Sequence, residues 1–115
     1  VFSPGITAET DRGSFTLELV SATPDPPDVG DNDWVIAISD GSQMLQGASV
    51  ILEPWMPAHG HGLNPPTYIA TPGSSPGEYV IPTFDLIMPG VWEFRINVNR
   101  VMVSDNAVFT FCAEG

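Results

Sequence analysis

Trp92-Glu93-Phe94-Arg95-Ile96-Asn97-Val98-Asn99 alternates large apolar and polar residues without a break. Successive side chains of a strand point to opposite faces, so this stretch reads as a β-strand with one buried and one wet face. The same period of two recurs outward from it, in Phe15, Leu17 and Leu19, in Trp34, Ile36 and Ile38, in Val50 and Leu52, and in Phe109 and Phe111. Tyr79 and Ile81 form a weaker set, which Pro82 is expected to end or to confine to a sheet edge. A short strand is expected near Thr67 to Thr71. Twelve prolines and 11 glycines punctuate the chain and leave no room for a long helix. The spacing predicts an all-β fold, an antiparallel immunoglobulin-like β-sandwich of about seven strands. Its core should contain Trp34, Trp92, Phe94, Ile96 and Phe111. Residues 1–12 read as an N-terminal arm or linker, and residues 13–115 as a single domain.

Bulk composition narrows the functional classes. The 115 residues suffice for one domain with a real core. There are 14 acidic residues against Arg12, Arg95 and Arg100, with no lysine, for a formal net charge of -11. Such a surface repels nucleic acid and anionic headgroups and gathers cations, so no nucleic-acid partner is expected. The single cysteine, Cys112, excludes an intramolecular disulfide framework and every multi-cysteine zinc site. Cys112 has the opposite parity to Phe109 and Phe111, and a buried inert thiol and a dimer-forming cysteine are both open. No apolar run approaches the roughly 20 residues a membrane span needs, so no membrane insertion of this segment is expected. The chain starts at Val1 and shows no signal peptide, which reads as a processed or trimmed segment. A periplasmic or extracellular location is expected, with a lipid anchor on a preceding segment as one form of it.

Both histidines lie in Met56-Pro57-Ala58-His59-Gly60-His61-Gly62. Histidine is the commonest protein metal ligand, and thioether sulfur is a soft donor that favours monovalent copper. Residues i and i+2 of an extended segment face the same side, so both imidazoles can meet one ion, with Gly60 and Gly62 letting the backbone bend. Met88, in Ile87-Met88-Pro89-Gly90 just before the Trp92 strand, could complete a two-histidine, two-methionine set. It could equally be gap-filling core, the usual job of methionine. Met44 and Met102 have no motif tying them to the histidines. An exposed loop with incidental histidines is the bland alternative, and zinc with Glu53 or Asp85 in place of sulfur is a third.

Other chemistry finds little support. Asp25-Pro26-Pro27-Asp28-Val29-Gly30-Asp31-Asn32-Asp33 is rich in carboxylates but lacks the spacing of a calcium loop, and its residues are ordinary turn formers. It is expected to be a mobile loop without metal. Blue-copper sites place a histidine shortly after the cysteine, and only Ala113, Glu114 and Gly115 follow Cys112. No nucleophile motif accompanies the histidines, and no glycine-rich phosphate loop is followed by lysine, so the chain is expected not to be an enzyme.

Glu53-Pro54-Trp55-Met56-Pro57-Ala58-His59-Gly60-His61-Gly62, then Gly77-Glu78-Tyr79, then Met88-Pro89-Gly90-Val91-Trp92-Glu93, resembles YtkA-like domains. These are small extracytoplasmic β-sandwich modules, similar to FixH-type domains and often associated with copper handling. The blocks occur in the family's order over about residues 46 to 111. The resemblance marks Met56, His59, His61 and Met88, although the family frequently has methionine where this chain has His59. It implies an extracytoplasmic protein that sequesters or delivers Cu(I), whose partners are the ion and a copper-donating or copper-receiving protein. The alternative is a structural or interaction module of a surface lipoprotein with no metal role.

Overall fold

The computed structural model describes residues 5–115. It contains no helix, and ten strands form two antiparallel sheets. In order these are β1 (Thr7–Glu9), β2 (Thr16–Thr23), β3 (Gly30–Ser39), β4 (Ser49–Met56), β5 (His61–Gly62), β6 (Tyr68–Ile69), β7 (Thr71–Pro72), β8 (Glu78–Leu86), β9 (Gly90–Arg100) and β10 (Val103–Ala113). One sheet runs β1-β2-β3-β8-β7, and the other runs β10-β9-β4-β5 with β6 also on β4. Six strands are long; β1, β5, β6 and β7 have two or three residues each. The expected strand near Thr67 to Thr71 is in fact two. β6 pairs with β4 in one sheet and β7 with β8 in the other, so the chain changes sheets around Ala70.

The apolar parity of each long strand faces the space between the sheets. Trp92, Phe94, Ile96 and Val98 of β9 are buried, as are Leu17 and Leu19, Trp34, Ile36 and Ile38, and Val50 and Leu52. Phe111 joins them, so all five residues expected at the centre are there. Trp34 is the hub of an aromatic cluster, with ring centroids 4.7 Å from Phe94, 5.6 Å from Phe84 and 6.0 Å from Phe111. Its indole nitrogen is buried without a hydrogen-bond partner among the described residues. Cys112 faces outward and is exposed, which removes the buried-thiol alternative.

Three boundaries differ from expectation, each for a visible reason. The supposed arm is structured where described. Ile6 and Ala8 pack against the core, and Thr7 to Glu9 pair with Thr16 to Glu18. The acidic loop ends early, because β3 starts at Gly30 and carries Asp31 and Asp33 on its outer side. Asn32 is fully buried, its amide donating to the carbonyls of Asp28 (2.7 Å) and Gly30 (2.8 Å). Pro82 does not end β8, which continues to Leu86, but β7 pairs only with Tyr79 and Val80, so Pro82 lies on an edge stretch of the sheet, the other form expected of it. Trp34 opposes Ile81 while Asn32 opposes Phe84, so β8 has one extra residue here and Pro82 sits in the bulge that tolerates it.

Asp105 ties the N-terminal hairpin to β10. It is 1% exposed, and its carboxylate accepts from the backbone of Arg12 (3.0 Å) and Ser14 (3.3 Å). Burial pushes its pKa up, but hydrogen bonds from Thr10, Asn106, Arg12 and Ser14 outweigh this and hold it well below the usual carboxylate range. A depressed folded-state pKa contributes stability that is present above the unfolded value and lost as pH falls through the folded one. Asp105→Asn should therefore be less stable than wild type in urea at pH 7. The gap should narrow as pH drops below about 4, the unperturbed range of aspartate. A gap that stays constant from pH 7 to pH 2 would contradict this role.

Candidate metal site at one end of the sandwich

β4 and β5 form a hairpin in which Trp55 opposes Gly62 and Met56 opposes His61. The loop between them is Pro57 to Gly60. The Met56 carbonyl accepts from both His59 N (3.2 Å) and Gly60 N (2.9 Å), which closes the turn. Gly60 has φ +64°, a conformation that suits a residue without Cβ. Gly62 is needed for a different reason than flexibility. A Cβ there would lie 2.8 Å from the Pro54 carbonyl, so the two backbones approach too closely for any side chain. Pro54 also explains why β4 has two short neighbours on this side. It offers no N–H, and the partner strand is broken into β5 and β6 on either side of it.

Directly opposed residues of an antiparallel pair project to the same face. Met56 lies on the inner face of β4 and is 1% exposed, so His61 also faces inward, at the open end of the sandwich. His61 is half-buried, and its ring meets the Trp92 ring edge-on at 6.1 Å. Its Nδ1 is 3.1 Å from the Gly62 carbonyl. A carbonyl only accepts, so this bond assigns the proton to Nδ1 and leaves the lone pair on Nε2. His59 is exposed at the loop tip, with its ring centroid 5.8 Å from that of His61 and the planes inclined by 36°.

The Met88 turn reaches the same end. Trp92 Nε1 donates to the Met88 carbonyl (3.1 Å), and a Cβ on Gly90 would lie 2.6 Å from the Met56 methyl. Met88 is half-buried and packs against the core; Met56 belongs to the core outright. Asp28 stands nearby, since it accepts from the backbone of Gly115 (2.8 Å), and Gly115 borders Pro89. The Gly115 and Val29 backbone donors hold the Asp28 carboxyl below its ordinary range, so this end keeps a negative charge.

Two imidazoles on one ion, with metal–nitrogen bonds of about 2.0–2.1 Å, have ring centroids about 5–6 Å apart. The observed separation fits that geometry. The carboxylate alternative fits less well, because Glu53 lies on the outer face beside Arg95, at 4.0 Å. Among the described residues, no group of three or more His, Cys, Asp or Glu side chains is placed to hold a metal ion. A metal at this end would depend on the two histidines and methionine sulfur. Met44 and Met102 are exposed and belong to the opposite end, near the β9–β10 turn. A cleft of about 300 Å³ also lies at that far end, between Gln46–Ala48 and Pro72–Tyr79. It presents no histidine or methionine, and the Tyr79 hydroxyl beside it is already used, donating to Leu45 O (2.8 Å) and accepting from Ala48 N (3.0 Å).

The profile of the family described as YtkA-like matches residues 11–97, most of the chain. The protein belongs to the YtkA-like family. The match covers the histidine hairpin, the Met88 turn and Trp92. No curated protein and no solved structure matches the chain. Sequence reasoning missed Trp92 as part of this end of the YtkA-like domain. The Met-Pro-Gly-Val-Trp spacing that singled out Met88 also carried the tryptophan, but periodicity assigned it only to the core.

Gly62→Ala should distort the β4–β5 hairpin and lower stability by about 1–3 kcal/mol, the usual range for local backbone strain. Gly60→Ala, with open space around its Cβ position, should cost less despite its positive φ. Amide hydrogen exchange across residues 55–63 checks this. Equal protection in both variants would contradict the close-approach account.

Proposed function

We propose that this YtkA-like domain is an extracytoplasmic copper-binding protein that sequesters or delivers Cu(I). The observation that carries the reading is the pairing of His59 and His61 at a centroid separation of 5.8 Å, with Met56 directly across the hairpin from His61. His61 would bind through Nε2, with Nδ1 held by the Gly62 carbonyl; such an outer hydrogen bond fixes tautomer and ring orientation. Met88 or Met56 would add thioether sulfur, which favours Cu(I) and adds little for zinc. Thioether and imidazole donors also suit an oxidising compartment, because they hold copper without a redox-labile thiolate. The acidic surface would raise the local cation concentration without selecting among cations. No catalytic role is part of this reading.

A structural or interaction role without metal is the alternative, and one feature favours it. Val101 and Met102, at the β9–β10 turn, have φ of +48° and +64° and are 80% and 105% exposed. A β-branched residue in that conformation is strained, and apolar side chains held in solvent commonly serve a contact. Metal content after purification from copper-supplemented cells separates the two readings.

Titration with Cu(I), Cu(II) and Zn(II) against competing chelators is the direct test. Wild type should take up one equivalent of Cu(I), and His59→Ala/His61→Ala should lose tight binding while keeping its melting temperature within a few degrees. Binding should weaken in acid, because imidazole must be neutral to donate its lone pair. Met88→Leu should reduce the preference for Cu(I) over zinc more than it reduces stoichiometry. An unchanged Cu(I) affinity in the double histidine variant would place the site elsewhere.

A further inference from the structure

The two histidines are neighbours but not equivalents. His61 belongs to a strand, its backbone paired with Met56, its ring half-buried against Trp92 and its Nδ1 committed to the Gly62 carbonyl. Trp92 is itself fully buried and fixed by its bond to the Met88 carbonyl. The ring of His61 is therefore restrained by the Trp92 ring and the Gly62 carbonyl, and its backbone by the pairing with Met56. His59 projects from the loop tip into solvent. Its backbone N–H closes the turn, but among the described residues its ring nitrogens have no hydrogen-bond partner and His61 is its one ring neighbour. Rotating the His59 side chain away costs no hydrogen bond to a described residue, whereas rotating that of His61 breaks its bond to the Gly62 carbonyl and its contact with Trp92.

We infer that His61 is the anchoring ligand for copper and His59 the exchangeable one, through which the ion is loaded and passed to an acceptor. This rests on the copper-binding reading above. In the hand-over, the bond from the His59 nitrogen to copper breaks as a bond from the acceptor's donor atom forms. The imidazole regains its lone pair and copper keeps its oxidation state, so no oxidant or reductant takes part. The asymmetry suits delivery more than storage, because a store gains nothing from a ligand left at the solvent edge.

The test compares wild type, His59→Ala and His61→Gln in two measurements, Cu(I) affinity by competition with bicinchoninate and the rate of Cu(I) transfer to bathocuproine disulfonate. His59→Ala should retain one equivalent with affinity reduced about tenfold and should transfer faster. His61→Gln should lose on the order of a hundredfold or more. Losses equal within about threefold, or a larger loss for His59→Ala, would overturn the assignment while leaving the copper-binding reading standing. Wild type without Cu(I) affinity would overturn both. If His61→Gln proves unstable by its melting temperature, the His59→Ala arm decides alone, since retained binding with faster transfer is required of it.

Discussion

Trp92 occupies the point where the core of the sandwich meets its open end. Its indole is fully buried among the inner residues of β9, yet its nitrogen reaches the Met88 carbonyl and its ring meets that of His61 in a T-shaped contact. The histidine hairpin, some thirty residues earlier in the chain, is thereby held against the methionine turn and the strand β9 that follows it directly. A buried indole N–H needs a partner, and here the partner is the turn that carries Met88. Trp34 offers a contrast. It is equally buried, at the hub of the aromatic cluster, and its nitrogen has no hydrogen-bond partner among the described residues. One tryptophan fills the centre of the fold, and the other organises its rim.

Backbone geometry does the rest of the positioning. Pro54 interrupts the outer pairing of β4, which allows β5 to exist as a separate short strand beside Trp55 and Met56. Gly62 permits the approach to the Pro54 carbonyl, and Gly60 lets the loop close on the Met56 carbonyl. The glycines flanking His61 thus act in different ways, one by its φ and one by its lack of a side chain. Together they turn a sequence separation of two residues into one anchored and one exposed imidazole.

Much of the fold was legible in the sequence because burial in a sandwich imposes a period of two. The alternation of Trp92 to Val98 identified β9 and its inner face, and Trp34 and Phe111 followed by the same rule. The misread boundaries share a cause: the residues there are polar or turn-forming, and tertiary contacts decide their state. Asn32 looked like part of an acidic loop, but its amide satisfies two carbonyls inside the fold. Thr7 to Glu9 looked like an arm because three residues carry no periodic signal; pairing with β2 and the reach of Asp105 supply the order. The candidate site was legible as a composition, all histidine in one methionine-flanked loop. The inequality of the two histidines was not, because it depends on cross-strand register and on the neighbouring tryptophan.

In the proposed function, imidazole from the β4–β5 hairpin and thioether sulfur from this end of the domain hold one copper ion. X-ray absorption at the copper edge of Cu(I)-loaded protein examines that ligand set directly. Imidazole scattering at about 2.0 Å together with at least one sulfur at about 2.3 Å is the expected result. A shell of oxygen donors alone, or sulfur without imidazole, would contradict it.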